Sequence, residues 1–258
     1  MRAAGPVRTR AVLLRTHDYS ETSRIHRYFT EDHGVVSVMA RGIRNRSAKG
    51  GASSGLFDEV DLEVHLKPGR DLQTLREVSL VRGRPGLGLT PAAFAAAGVL
   101  GEIVLRHHGE EAAHVVFDGL AGALDRLSAA PADRVAAELL ACGWQLVGQL
   151  GFHPQLTHCV TCGRAIGSDE MARMDFEAGG LRCLRAECGE RFAGPRVGPG
   201  ARVQLAGLLA GQAPETLGHV RAHLRLFSDF TTVHVVGGRP LDAFRVFTAL
   251  LPPDTGRA

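Results

Sequence analysis

The stretch Glu59–Val81, EVDLEVHLKPGRDLQTLREVSLV, decides the fold of the N-terminal third of the chain. Val60, Leu62, Val64 and Leu66 alternate with Glu59, Asp61, Glu63 and His65. The pleat of a strand turns this period of two into one apolar and one wet face. The turn residues KPGR follow, and then a further β-rich run, DLQTLREVSLV (71–81).

Upstream, three more runs read as strands: RAVLLRTHD (10–18), TSRIHRYFT (22–30) and GVVSVMARG (34–42), parted by polar turns such as TEDHG. Five short strands in about eighty residues suit a small Greek-key barrel of the OB type. Between the third and fourth strands lies RGIRNRSAKGGASSG (41–55), basic, glycine-rich and without apolar periodicity, which reads as a cationic loop.

From Leu89 the period changes to that of helices. Thr90 is placed to cap a helix whose first position is Pro91, and apolar residues recur at helical spacing through LTPAAFAAAGVLGEIVLRH. Further helices are predicted at 112–127, at 132–150 (opened by Pro131), and at 201–210, 215–236 and 241–250. The fold class is therefore α+β: an N-terminal OB-fold β-barrel followed by an α-helical domain with an inserted zinc-ribbon module. The expected organisation is a barrel at 1–82, helices at 83–155, a cysteine module at 156–194 and helices again at 195–258.

That module holds four of the five cysteines. Cys159-x2-Cys162 sits in CVTCG, where Gly163 lets the backbone wrap a metal, and Cys183-x4-Cys188 returns twenty residues later. Two tight turns each presenting two thiolates are the usual means of building a closed, tetrahedral structural zinc site. The strand-like ARMDFEAGGLRC between the pairs would form the ribbon's hairpin. His158 stands beside the first pair and could replace one sulfur, an alternative the residues leave open. A disulfide reading is disfavoured in the reducing, cytoplasmic setting expected of a chain with no apolar stretch of transmembrane length and no secretory h-region. A thioredoxin-like centre would leave Cys183 and Cys188 unexplained. Cys142, in AAELLACGWQLVG, reads as a core residue.

Catalytic chemistry finds no footing. There is no HExxH and no deaminase signature. GRPGLGLT (83–90) lacks the lysine of a phosphate-binding loop and reads as a linker, and HHGEE (107–111) as a solvated helix end. A hydrophobic fraction of 45 % and a charged fraction of 22 % are those of an ordinary globular protein.

The net charge of +3 is unevenly spread. Residues 1–50 carry ten basic side chains against four acids, a net of +6, so the remainder is −3. Such asymmetry is expected of a polyanion-binding module followed by a neutral or acidic one, a solvated basic surface being the competing reading. Arg41, Arg44, Arg46 and Lys49 in the loop, with Arg8, Arg10, Arg15, Arg24 and Arg27 on the strands, could line that surface. Tyr19, Tyr28, Phe29 and Phe57 are candidate stacking residues, the two phenylalanines fitting the core equally well. Arg24, His26 and Tyr28 share one strand face, the composition of a charge-plus-stacking platform.

Taken together, AVLLRTHDYSETSRIHRYFTEDHG, ARGIRNRSAKGGASSGLFDEVDLEV, GRDLQTLREVSLV and the four-cysteine insert within helices resemble the bacterial recombination mediator RecO family over nearly the whole chain. The resemblance implies an OB fold, a helical domain and a zinc module without enzymatic turnover. RecO-like proteins bind single- and double-stranded DNA and anneal complementary strands. They work with RecR, and in many bacteria RecF, contact single-stranded-DNA-binding protein and help load RecA. By position, the resemblance makes Arg41, Arg44, Arg46 and Lys49 the DNA contacts and Cys159, Cys162, Cys183 and Cys188 the zinc ligands. The x4 spacing departs from the two-residue gap more familiar in the family. A protein-interaction scaffold with an incidental basic patch is the alternative function, and Arg221 and Arg225 are candidates for a wider DNA surface.

Overall fold

A computed structural model describes residues 5–20, 23–41, 54–107, 113–188 and 192–251. The chain divides into two compact units, Met1–Ala129 and Ala130–Ala258.

The first unit opens with β1 (Gly5–Asp18), β2 (Ser23–Thr30), β3 (Gly34–Arg41), β4 (Glu59–Leu66) and β5 (Leu72–Arg82), closed into a barrel in the order β1-β2-β3-β5-β4. All neighbours are antiparallel except β3 and β5, which pair in parallel over Ser37–Met39 and Leu72–Thr74. This is the OB order expected from five short strands. β1 pairs β4 with its N-terminal half and β2 with its C-terminal half, and its register shifts between Leu13 and Arg15 at a bulge. Closure needs such a bend, because one strand must serve two sides of the barrel.

The alternation in β4 is realised at its apolar positions. Val60, Leu62, Val64 and Leu66 are at most 3 % exposed and meet Ala11, Leu13, Tyr28, Val36 and Val38 in the barrel interior. Glu59 departs from the expected wet face: it is 2 % exposed, because two arginines hold its carboxylate.

A 3₁₀ turn at Pro85–Gly88 leads to α1 (Pro91–Arg106) and α2 (Ala113–Ala129). Thr90 caps α1 as expected: its Oγ1 accepts the amide of Ala93 at 3.1 Å, with Pro91 at the first helical position. Both helices contact the barrel through apolar faces. Phe57 meets Phe94 of α1 edge-on at 5.3 Å, and Phe29 meets Phe117 of α2 at 6.2 Å. Phe29 and Phe57 are thus core residues.

The second unit begins with a turn rather than a helix. Pro131 accepts the amide of Arg134, and α3 runs Val135–Gln149, three residues later than the proline-opened helix predicted. The hairpin β6 (Ala172–Asp175) and β7 (Gly180–Cys183), with β8 (Arg196–Val197) on β6, forms a small sheet. Then come α4 (Pro199–Leu209), α5 (Val220–His234) and α6 (Asp242–Leu250). The helix expected from Glu215 starts only at Val220. The residues ahead of it run irregularly, their carbonyls at Ala213 and Pro214 accepting from the Arg134 guanidinium at 3.0 and 2.6 Å. Trp144 anchors this core, its ring 5.1 Å from Phe227 and 5.2 Å from Phe230. α3 and α5 approach closely at Gly143, where an added Cβ would lie 2.6 Å from the Phe227 ring. No described helix is long and apolar enough to cross a membrane.

Candidate metal centre and nucleic-acid interface

The four cysteines are brought together by two turns and a strand end. Gly163 adopts a φ of +72°, open to glycine at no steric cost. Its amide reaches back to the Cys159 carbonyl at 2.8 Å, curling CVTCG around a point. Cys183 ends β7, and Cys188 closes a turn in which its amide donates to the Arg185 carbonyl at 3.0 Å. That turn absorbs the longer x4 spacing. The four Sγ atoms all lie within 4.8 Å of one another, with Cys162 and Cys183 3.9 Å apart. In a tetrahedron with metal–sulfur bonds of about 2.3 Å the edge is about 3.8 Å, so the set fits an ion the size of zinc.

Electrostatics favour a cation at that point. Burial opposes ionisation of Cys159, but amides including that of Cys183 (3.3 Å from the sulfur) outweigh it and pull the thiol down to about 6. Cys188 is pushed up to about 12, first by burial and then by its three neighbouring sulfurs. Four thiols this close cannot all ionise without a positive charge among them. His158 is not part of the group: it is exposed, with Nδ1 3.0 Å from the Thr157 hydroxyl. Cys159, Cys183 and Cys188 are buried and Cys162 is exposed, and no disulfide joins any of the cysteines.

The barrel cations separate into two groups. Arg8 pairs with Asp61 at 2.7 Å and Arg24 with Asp18 at 2.8 Å, both pairs exposed. Arg10 is held more firmly. It pairs with Glu59 at 2.8 Å, lies 3.5 Å from Glu31, and stacks 5.0 Å from the centre of the Phe117 ring. Arg15 and Arg27 differ: their Cα positions are direct cross-strand partners, and among the described residues neither has an acidic partner. Arg44, Arg46 and Lys49 lie outside the described residues, and Arg41 ends β3.

The stacking platform expected of Arg24, His26 and Tyr28 is corrected. The three do share a face, but it turns inward: His26 and Tyr28 are buried there, and only Arg24, near the strand end, reaches solvent and its Asp18 partner. Tyr28 is 0 % exposed within the barrel core, its hydroxyl 3.2 Å from His26 Nδ1, and burial pushes its phenol up to about 12. A ring with no free face cannot receive a base. The outward positions of β2 are the odd ones, Ile25, Arg27 and Phe29, each one residue along.

Sequence reasoning missed Arg84 altogether. Its side chain, 1 % exposed, bonds Asp125 at 2.7 Å, the Phe57 carbonyl at 2.7 Å, the Ala121 carbonyl at 3.1 Å and Glu59 at 3.4 Å. It rivets the start of β4 to α2 from within what reads as a linker. Proline and glycine around it hide this role, and only a lone arginine between a strand and a helix hints at it.

A closed OB-type barrel with helices packed on it, followed by a helical unit carrying four converging thiols, defines a barrel-and-helix protein with a module fit to hold a metal ion. Comparison with known proteins makes this specific. The profile described as "Recombination protein O N terminal" matches residues 1–84, and "Recombination protein O C terminal" matches 89–234. The DNA repair protein RecO of Anaeromyxobacter sp. (strain K) is 33 % identical over 207 residues, covering 79 % of this chain and 78 % of its own. The DNA repair protein RecO of Prosthecochloris aestuarii is 28 % identical over 278 residues, covering 96 % and 99 %. That of Gloeobacter violaceus is 32 % identical over 189 residues, covering 71 % and 70 %. The chain belongs to the RecO family, a family of recombination and DNA-repair proteins.

Proposed function

We propose that this protein is a non-enzymatic, cytoplasmic mediator of recombinational repair. It binds single- and double-stranded DNA, anneals complementary strands, and with RecR and RecF helps load RecA onto DNA covered by single-stranded-DNA-binding protein. The observation that carries this reading is the closed barrel of OB order at the head of a chain matched almost throughout by the RecO profiles. OB barrels bind single strands by combining cations that track phosphates with sequence-tolerant base contacts. Within this reading Arg41, Arg44, Arg46 and Lys49 contribute phosphate contacts. Arg8 and Arg24 can exchange their exposed carboxylate partners for phosphate, since such solvent-screened surface pairs are weak.

The thiolate centre holds zinc and acts structurally. Cys159, Cys162, Cys183 and Cys188 take up all four positions of a tetrahedron, leaving none for substrate. When bound, the ion supplies cross-linking between the CVTCG turn and the β6–β7 hairpin.

Fluorescence anisotropy with a labelled single-stranded oligonucleotide, titrated at several salt concentrations, tests the reading. Binding should weaken steeply with salt. Replacing Arg41, Arg44, Arg46 and Lys49 together should lower the salt slope by about 0.7 for each phosphate no longer neutralised, for all sequences alike. Unaltered binding removes that run from the interface, and no binding by the intact protein at low salt favours a protein-interaction scaffold.

A further inference from the structure

Register places two guanidinium groups side by side on the outside of the barrel. Arg15 of β1 is the direct cross-strand partner of Arg27 of β2, and Arg27 is in turn the partner of Ser37 of β3. Directly opposed residues point to the same face with their Cβ atoms about 4.5–5.5 Å apart, so the three side chains form one row. Tyr28, the neighbour of Arg27, points inward, which fixes the row as outward.

Like charges set opposite one another across a ladder are destabilising. Elsewhere on these strands the fold neutralises its cations: Arg8 has Asp61, Arg10 has Glu59 and Arg24 has Asp18. At Arg15 and Arg27 no acidic partner stands among the described residues. The Arg27 Nε is buried and has no hydrogen-bond acceptor, while Arg15 is exposed. Burial first and the Arg15 charge second lower the pKa of Arg27.

We propose that Arg15 and Arg27 form a clamp for a single backbone phosphate of single-stranded DNA, with the Ser37 hydroxyl as a third donor. The inference rests on the reading of the barrel as a nucleic-acid-binding module. Planar guanidinium forks match the oxygens of a phosphate, and two forks converging on one phosphate convert their mutual repulsion into shared attraction. The next outward row, His17 opposite Ile25 and Ile25 opposite Met39, is largely apolar. It suits a sugar or base beside the phosphate better than a second phosphate.

The test uses the full chain and a fluorescein-labelled oligothymidine, with anisotropy read across a potassium chloride series. Arg15→Gln and Arg27→Gln should each weaken binding about 10-fold, the loss expected for a charged hydrogen bond. The double variant should lose little more than either single variant, and its salt slope should fall by about 0.7, as for one phosphate. Arg8→Gln, which removes a cation already matched by an acid, should lose less. The melting temperature of Arg15→Gln should equal or exceed that of the wild type, because repulsion is relieved. Single variants that bind as the wild type does overturn the clamp, and so does a double variant whose losses multiply in full. An Arg8→Gln loss equal to that of Arg15→Gln would show a general field rather than a site. If the wild type binds no oligonucleotide, the barrel reading falls and the clamp with it; if the wild type binds and the variants match it, only the clamp falls.

Discussion

Arg84 is the residue whose removal the first unit should tolerate least. Its guanidinium is enclosed, and its partners come from the segment before β4, from β4 itself and from α2. Taking it away leaves the Glu59 carboxylate buried with Arg10 as its one remaining cation among the described residues. Breaking a buried pair by removing one partner costs about 3–5 kcal/mol, because the desolvated charge remains. Arg84→Met is therefore expected to lower the stability of the protein by an amount in that range in urea denaturation. Replacing the exposed Arg8 should leave it nearly unchanged, since surface ion pairs are screened by solvent. A midpoint for Arg84→Met equal to that of the wild type would mean that the helices and barrel are held by apolar packing alone.

At the level of elements, the cysteine module should be the part whose order depends on metal. Its sheet consists of two four-residue strands and one of two residues, too little to stand without a cross-link. Chelation should therefore loosen the CVTCG turn and the β6–β7 hairpin. Hydrogen exchange should report this as reduced protection at the amides of Gly163 and Cys183 while the barrel strands keep theirs. Equal protection with and without metal would mean that the hairpin is self-sufficient. The ligand set was legible in the sequence because metal chemistry demands specific residue types at specific spacings. The strands were legible because period two marks them. Which face of a strand turns inward was not. Arg24, His26 and Tyr28 alternate as faithfully as Ile25, Arg27 and Phe29, and only barrel closure decides between them. The late starts of α3 and α5 were hidden for a related reason: Arg134 draws the carbonyls ahead of α5 into an irregular path, a tertiary bond that helical periodicity cannot announce.

Across the whole molecule, each unit hides a histidine. His26 lies in the barrel with Tyr28 and Arg24 nearby, and His223 lies in α5 with Gln204 Oε1 3.1 Å away and His219 nearby. Burial, with the adjacent positive or ionisable group second, holds both below the ordinary value of 6.5. Below pH 6.5 the unfolded chain therefore binds protons that the folded chain refuses. The stability these histidines contribute is whole above that value and is lost as pH falls through the interval beneath it. Urea midpoints should thus fall between about pH 7.5 and pH 5.5, above the range where carboxylates titrate. His26→Gln combined with His223→Gln should flatten that fall, and a double variant with an unchanged slope would assign it to other groups.

The bulge at Leu14 has a consequence beyond the bend it puts in β1. Leu13 faces Tyr28 inside the barrel, yet Arg15, two residues on, faces Arg27 outside. The extra residue reverses parity, so odd positions are interior before it and exterior after it. A relative lacking this one residue, aligned without a gap, would have its core-side positions matched to solvent-side positions along the rest of β1. Deleting Leu14 from the gene would keep the pairing, since Arg15 would follow Leu13 directly and still stand opposite Arg27. What the deletion would remove is the kink itself, together with a buried leucine whose side chain lies against Gly101 of α1.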